Sequence, residues 1–318
     1  MRIGPLSIAP PVTLAPLEEH SNSPFRLLMK QFGAGLVSTE RVGAADVARR
    51  DRRALRLLYT TPTERPCAAQ ISGSDPVEMA AAARIVAELG FSMVDLNFEC
   101  PVRRLLARGE GGAMMADPAR IGRIVEQVAH AVPIPVTLKI RSGPDAEHET
   151  AVEVARRAEE AGASAVCVHA RSVAQGYVGG PDWTVLARVK QAVRMPVIGN
   201  GGIREAADAM RMIETSGVDA VAVARGCLGN PWIFRQIAGL LRGVGPGRGP
   251  TPAERGRALL QLVEGEFHLY GVPLALRRLP RTSGYFAQWL ADAAGFRQAV
   301  VKVGNLAQFR RLVKEYFR

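Results

Sequence analysis

The chain has 318 residues, with 41 basic and 30 acidic side chains, and a formal net charge of +11. Its 47% hydrophobic and 22% charged residues are ordinary globular values, which exclude wholesale disorder. No apolar stretch could span a bilayer, and four widely spaced cysteines exclude a disulfide framework or a paired-cysteine zinc site, so we expect a cytoplasmic protein without a membrane partner.

Short apolar runs alternate with longer segments of helical period between residues 12 and 224. Eight runs are predicted strands: Val12–Ala15, Leu36–Thr39, Cys67–Ile71, Met93–Asn97, Val136–Ile140, Ala165–His169, Val197–Gly199 and Ala220–Ala224. Five segments are predicted helices: Pro76–Leu89, Pro118–Ala131, Glu149–Ala161, Trp183–Val193 and Glu205–Ser216. Gly90, Gly162 and Gly217 follow three of these helices, where a left-handed glycine ends a helix. The alternation predicts an α/β fold, a (β/α)8 TIM barrel.

The pattern changes after the barrel. Residues 243–252, GVGPGRGPTP, are typical of a linker, and only helical periodicity follows. We therefore expect a barrel domain over 1–242, a linker over 243–252 and a small all-helical C-terminal domain over 253–318. This last segment has eleven basic and five acidic side chains, so over half of the net charge lies in about a fifth of the chain. That asymmetry favours contact with RNA over a uniformly basic surface.

Polar residues at the carboxyl ends of the predicted strands are the candidates for chemistry, because the active site of a β/α barrel lies there. They are Gln70, Asn97, Glu99, Cys100, Lys139, Arg141, His169 and Arg171. A lysine at this position can stabilise a phosphate or a reduced, anionic flavin. Gln70 and His169 can bind a flavin, or can simply satisfy loop carbonyls.

Glycine loops follow the seventh and eighth predicted strands, as GNGG (199–202) and ARG (224–226). Barrels bind phosphate at these two positions with backbone N–H groups and a helix N-terminus. Either loop alone is typical of a tight turn, but the two together predict a phosphorylated cofactor.

Cys100 is the candidate catalytic residue among the cysteines. It follows a strand end and precedes Pro101, in a loop where a protonated thiol can act as a general acid. Cys67 and Cys167 lie inside apolar strands and are expected to be core residues, whereas the role of Cys227 stays open.

Several segments together resemble the bacterial, FMN-dependent tRNA-dihydrouridine synthase family over nearly the whole chain. They are LAPLEEHSNSPFR (14–26), STE (38–40), QISGSDP (70–76), DLNFECP (95–101), VTLKIRSG (136–143), VHARSVAQGYVGGPDW (168–183), GNGGI (199–203) and ARGCLGNPWIF (224–234). The resemblance implies an FMN barrel, a helical domain that grips tRNA, and NADPH as the source of hydride.

The resemblance also implies roles for individual residues. FMN would be surrounded by Pro16, Leu17, Glu18, Gln70, Lys139, His169, Asn200, Gly201, Gly202, Ala224 and Arg225. Asn97 would position the target base, and Arg171, Arg277, Arg278 and Arg281 are candidate contacts to the RNA. Reduced flavin would give hydride to C6 of a uracil while Cys100 protonates C5. The enzyme would unstack the uridine into its pocket.

Four places depart from the common family pattern. Leu17-Glu18 replaces Met-Ala, Glu99 replaces Gly, Gly202 replaces Asp and Ala224 replaces Gly. Glu18, Glu19 and Glu99 add negative charge near the expected flavin and the path of the RNA phosphates, a change that can alter the flavin potential or the choice of substrate. Activity is still expected, since Cys100 and Lys139 are retained.

Two other functions remain open on the sequence. One is an FMN barrel that reduces a small molecule, which has no need for the basic helical domain. The other is a non-catalytic RNA-binding relative, which has no need for Cys100 and Lys139. The modified uridine and the choice between tRNA and ribosomal RNA are not determined by a local motif, and a monomer is the simplest expectation.

Overall fold

The computed structural model describes residues 1–318. The strands are β1 Arg2–Ile3, β2 Leu6–Ser7, β3 Val12–Leu14, β4 Val37–Gly43, β5 Cys67–Ser72, β6 Met93–Phe98, β7 Val136–Arg141, β8 Ala165–His169, β9 Val197–Asn200 and β10 Ala220–Val223. The helices are α1 Ser23–Gln31, α2 Ala44–Ala48, α3 Arg52–Leu57, α4 Pro76–Glu88, α5 Arg103–Leu106, α6 Pro118–Ala131, α7 Ala151–Glu160, α8 Thr184–Ala192, α9 Ala206–Ser216, α10 Trp232–Leu241, α11 Pro252–Tyr270, α12 Val272–Ala287, α13 Ala293–Val301 and α14 Leu306–Tyr316. None of these helices combines the length and apolar character needed to cross a membrane.

Strands β3 to β10 form one parallel sheet in the order β3-β10-β9-β8-β7-β6-β5-β4. A parallel bridge between Thr13 and Leu36 joins the two end strands and brings the sheet round to a nearly closed barrel. The predicted (β/α)8 fold and its eight strands are confirmed. β4 is longer than predicted because it continues through Glu40 and Arg41, with a register shift after Ser38.

A two-stranded hairpin precedes the barrel and was not predicted, since β1 and β2 have only two residues each. Ile3 and Ile8 are fully buried. They join an apolar cluster inside the barrel that contains Ala15, Leu36, Ala68, Met93, Ala165, Cys167, Ile198, Ala220 and Ala222. The hairpin therefore closes the amino end of the barrel, and a ligand site has to lie at the carboxyl ends of the strands.

The three predicted helix-ending glycines have the left-handed conformation that the sequence requires of them. Gly90, Gly162 and Gly217 have φ angles of 80°, 95° and 68°. Asp75 begins α4 by accepting a hydrogen bond from the amide of Glu78. These local signals fix where each helix starts and stops, and so where the next strand begins.

The four C-terminal helices lie on the side of the barrel that carries α1. Residues 243–251 form no helix or strand, and α11 begins at Pro252, capped by Thr251. Glu266 of α11 is buried at the junction and accepts hydrogen bonds from Asn22 Nδ2 at 2.8 Å and Thr282 Oγ1 at 2.9 Å. Arg278 Nε donates to the same carboxylate at 3.2 Å. One carboxylate thus ties the helices to the start of α1.

An arginine stacked between two tryptophans also lies at this junction. The guanidinium of Arg255 is 4.2 Å from the ring centroid of Trp289 and 5.4 Å from that of Trp232. Trp232 belongs to α10, whereas Trp289 follows α12. The cation–π contacts therefore connect the last barrel helix with the C-terminal helices.

Replacing Glu266 by Gln is expected to lower the free energy of unfolding by about 2 kcal/mol. The new side-chain NH2 group would face side chains that themselves donate hydrogen bonds, and Arg278 would lose its anionic partner. The midpoint of urea unfolding measures this loss. Glu264→Gln is the matched control, since Glu264 lies in the same helix but forms an exposed pair with Arg310. Equal midpoints for the two variants would contradict the assigned role of Glu266.

Candidate active site

A chain of buried hydrogen bonds connects β5, β6 and β7 at the barrel mouth. Gln70 Nε2 donates to Asp95 Oδ2 at 2.7 Å, and Gln70 Oε1 accepts from Asn97 Nδ2 at 2.9 Å. Thr137 Oγ1 donates to the other oxygen of Asp95 at 2.7 Å. Burial raises the pKa of the Asp95 carboxyl, against the effect of these donors. Both side-chain ends of Gln70 are thus engaged and its orientation is fixed.

Asn97 also supports the loop that carries Cys100. Its Oδ1 accepts from the amide of Cys100 at 3.2 Å, and the carbonyl of Cys100 accepts from the amide of Gly112 at 3.0 Å. The thiol is half-buried, and burial raises its pKa. A raised thiol pKa keeps the proton on sulfur at neutral pH, the state required of a general acid.

Lys139 and His169 meet around the carboxylate of Glu99. Lys139 is only 2% exposed; its ammonium pairs with Glu99 Oε2 and donates to Asn200 Oδ1 at 3.0 Å. His169 Nδ1 lies 3.5 Å from the same oxygen of Glu99. Burial lowers the pKa of His169 to about 4, against the effect of Glu99, so the ring is neutral at pH 7. Although burial opposes it, the lysine lowers the pKa of Glu99, so the pair is ionised.

The two glycine loops lie next to each other and present unpaired amides. The backbone N–H groups of Gly201, Gly202 and Ile203 donate to no protein acceptor. A Cβ atom at Gly201 would lie 2.8 Å from the His169 ring, and one at Gly226 would lie 2.5 Å from the carbonyl oxygen of Ile203. Glycine is therefore required at Gly201 by the approach of His169 and at Gly226 by the approach of the neighbouring loop.

Arginines gather beside these glycine loops. Arg171 is buried; its Nη2 donates to the carbonyl of Gly179 at 2.7 Å, but its Nε has no hydrogen-bond partner. Burial, followed by the charges of Arg225, Arg141 and Arg204, lowers the pKa of the Arg171 guanidinium. Crowded positive charge, an unpaired buried N–H and free backbone amides fit a phosphate group.

Two further residues at the mouth were not predicted as ligands from the sequence. Tyr177 lies over two guanidinium groups, 5.3 Å from that of Arg141 and 5.1 Å from that of Arg225. Arg41 is 11% exposed; it donates to Ser72 Oγ at 3.0 Å, and its Nε has no partner. The sequence signal for Arg41 was its place after the STE segment, and for Tyr177 its place in the loop after β8.

The remaining sequence candidates fall into two groups. Pro16, Leu17 and Glu18 follow β3 at the mouth, where Glu18 is exposed and lies 3.4 Å from Arg41. Ala224 and Arg225 directly follow β10, next to the Gly201 loop.

The three candidate arginines of α12 are not equivalent. The side chain of Arg277 is exposed and has no hydrogen-bond partner in the protein. Arg278 donates to Glu266 and, at 2.7 Å, to the carbonyl of Glu19, and Arg281 pairs with the carboxylate of Glu19. Arg278 and Arg281 therefore connect α12 to the barrel, while Arg277 faces solvent.

These features define a (β/α)8-barrel protein with a candidate phosphate site and a thiol of raised pKa at one mouth. The family model described as Dihydrouridine synthase (Dus) matches residues 13–264, most of the chain. The chain belongs to the dihydrouridine synthase family, in agreement with the resemblance of its motifs.

Curated relatives are similar over almost their whole length. A probable tRNA-dihydrouridine synthase of Rhodobacter capsulatus is 36% identical, with 98% of this chain and 96% of the relative covered. The tRNA-dihydrouridine synthase B of Pseudomonas aeruginosa is 37% identical, with 98% and 91% covered. That of Xanthomonas campestris is 34% identical, with 100% and 96% covered.

Solved structures of other proteins share the fold at low sequence identity. Morphinone reductase superimposes with a TM-score of 0.55 at 15% identity, covering 80% of this chain and 91% of that chain. Histamine dehydrogenase from Rhizobium sp. 4-9 gives a TM-score of 0.60 at 12% identity, covering 83% and 50%. At these identities the likeness supports the barrel architecture alone.

Proposed function

We propose that this protein is a tRNA-dihydrouridine synthase, which uses FMN and NADPH to reduce the C5–C6 double bond of uridines in tRNA. Membership of the family supports the reaction, and relatives of similar length carry that name. The observation that carries the proposal in this chain is the protonated Cys100 thiol at the same barrel mouth as the candidate phosphate site.

The residues at the mouth fit a flavin mononucleotide at its phosphate end. The amides of Gly201 and Gly202 and the guanidinium groups of Arg171 and Arg225 would hold the phosphate monoester. Lys139, Gln70 and His169 would lie on the side of the flavin ring. The bound flavin would supply hydride, taken from NADPH.

The protein's own contribution to the chemistry is a positioned proton. Asn97 holds the amide of Cys100, so the thiol is fixed beside the mouth. The thiol would donate its proton to C5 of the uracil. Access to this thiol requires the uridine to leave its stack, at a cost of a few kcal/mol that contacts in the pocket recover.

The C-terminal helices would supply the RNA-binding surface. Their excess of basic residues favours phosphate contacts, and the exposed Arg277 is the α12 arginine free to make one. Arg278 and Arg281 would act indirectly, by holding α12 against the barrel. We accordingly propose a barrel domain over 1–242 and an RNA-binding helical domain over 253–318.

Gly226→Ala is expected to weaken FMN binding about tenfold or more, because the added Cβ meets the carbonyl of Ile203 and pushes the two phosphate loops apart. Quenching of flavin fluorescence during titration of the apoprotein measures the affinity. Gly180→Ala is the control, since a Cβ at Gly180 has open space on all sides. Unchanged affinity in Gly226→Ala would place the phosphate elsewhere.

The proposed reaction is tested by the absorption spectrum of the purified protein, with NADPH and then a tRNA transcript added in the same cuvette. We expect a yellow protein that NADPH bleaches and that tRNA reoxidises, with dihydrouridine appearing in the RNA. Reoxidation by a ribosomal RNA fragment but not by tRNA would identify ribosomal RNA as the substrate in place of tRNA. A protein that cannot be loaded with FMN would contradict an enzymatic function and leave an RNA-binding relative.

A further inference from the structure

Glu99 is the one carboxylate that contacts the buried cations of the barrel mouth. Its side chain is 15% exposed, and Oε2 pairs with the ammonium of Lys139 and lies 3.5 Å from His169 Nδ1. Arg141 Nε donates at 2.9 Å to the carbonyl oxygen of Glu99, which fixes the backbone from which the side chain extends. The carboxylate is therefore held in place from two sides.

The groups around Lys139 show what this carboxylate changes. Asn200 is neutral and accepts from the ammonium at 3.0 Å, and Cys167 is a buried thiol whose pKa burial raises to about 12. Arg141 lies on the same strand and adds positive charge. His169 is neutral at pH 7 because burial lowers its pKa to about 4. Glu99 is thus the only group in direct contact that neutralises the ammonium of Lys139.

A cation beside a flavin stabilises the reduced form, which carries a negative charge when it is deprotonated. An ammonium already paired with a carboxylate has no net charge to offer, and the carboxylate repels the reduced anion directly. The oxidised isoalloxazine ring is neutral and is affected much less. Compared with an unpaired Lys139, the Lys139–Glu99 pair therefore favours the reduced flavin less and lowers its stability relative to the oxidised flavin.

We infer that Glu99 is a positioning residue that restrains Lys139 and sets the reduction potential of the bound flavin below the value that Lys139 alone would give. This inference rests on the proposed FMN-dependent function. The consequence for the reaction is a stronger hydride donor, since a flavin of lower potential gives up its electrons more readily.

The test is the two-electron reduction potential of the FMN-loaded protein, measured by equilibration with redox dyes of known potential. In Glu99→Gln the reduced flavin should bind about tenfold more tightly relative to the oxidised flavin, a shift of about 30 mV to higher potential. Glu264→Gln, which removes an exposed carboxylate on α11, should leave the potential of the wild type unchanged. Binding of oxidised FMN is titrated in parallel for each variant.

The outcomes separate this inference from the proposed function. A higher potential in Glu99→Gln supports the inference, whereas FMN binding that appears only when the carboxylate is removed overturns both the inference and the proposed function, because the wild type then holds no flavin. Normal FMN binding with equal potentials in wild type and Glu99→Gln overturns the inference and leaves the proposed function standing. Failure of every variant to bind FMN overturns both.

Discussion

Cys100→Ala is expected to lower the rate of dihydrouridine formation by about 10²–10⁴-fold while FMN remains bound, because a general acid contributes that much to a rate. The thiol is half-buried and keeps its proton at neutral pH, whereas alanine has none to give. Single-turnover reoxidation of the reduced protein by tRNA measures the effect. The spectrum of the bound flavin shows that the site is still formed.

The pH dependence follows from the same raised pKa. The protonated thiol is the active form. Titration of this group therefore leaves the rate unchanged up to neutral pH and lowers the rate as the pH rises through the raised pKa. Cys67→Ala is the control for loss of a thiol, since Cys67 is buried at the start of β5, away from the mouth. Full activity in Cys100→Ala would show that another group donates the proton to the uracil.

The second large effect concerns stability. Arg26 and Glu64 form an ion pair whose two side chains are completely buried, with Nε and Oε2 2.5 Å apart. Glu64 also accepts from Ser23 Oγ at 2.6 Å, and Arg26 donates to the carbonyl of Tyr59 at 2.6 Å. Glu64→Gln is expected to cost about 3–5 kcal/mol, because it leaves a buried guanidinium without its anion.

Urea unfolding monitored by circular dichroism measures this loss. Glu153→Gln is the matched control, since its pair with Arg157 lies on the surface of α7 and should contribute less than about 1 kcal/mol. The double variant Arg26→Gln, Glu64→Gln should be less destabilised than the sum of the single variants, because neither charge is then left alone. Additive losses would show that the two charges do not interact.

Much of the barrel could be predicted from the sequence because its signals are local. Buried parallel strands are short apolar runs, and Gly90, Gly162 and Gly217 mark helix ends through their own φ angles. The convergence of Gln70 and Lys139 followed from the rule that strand ends meet at one mouth. Each of these predictions needs only the order of elements along the chain.

The pairing of charges could not be predicted, because it depends on which side chains the folded barrel brings together. Glu99 was recognised as a departure from the family pattern, but its contact with Lys139 joins two residues that are 40 positions apart in sequence. Arg278 and Arg281 are predicted RNA contacts, and nothing in the sequence indicated that both also reach back to Glu19, about 260 residues earlier. Such contacts have no periodic or local signature in the sequence.

The positions of the three tryptophans make the protein a two-site fluorescent reporter. Trp183 Nε1 donates to the carbonyl of Gly201 at 3.1 Å, beside the candidate phosphate site, so a flavin there would quench its emission by energy transfer. Trp232 and Trp289 flank Arg255 at the contact between barrel and helices. Emission from these two depends on the packing at that contact, so the intrinsic fluorescence of the protein reports on the loop beside Gly201 and on the contact between barrel and helices without a label.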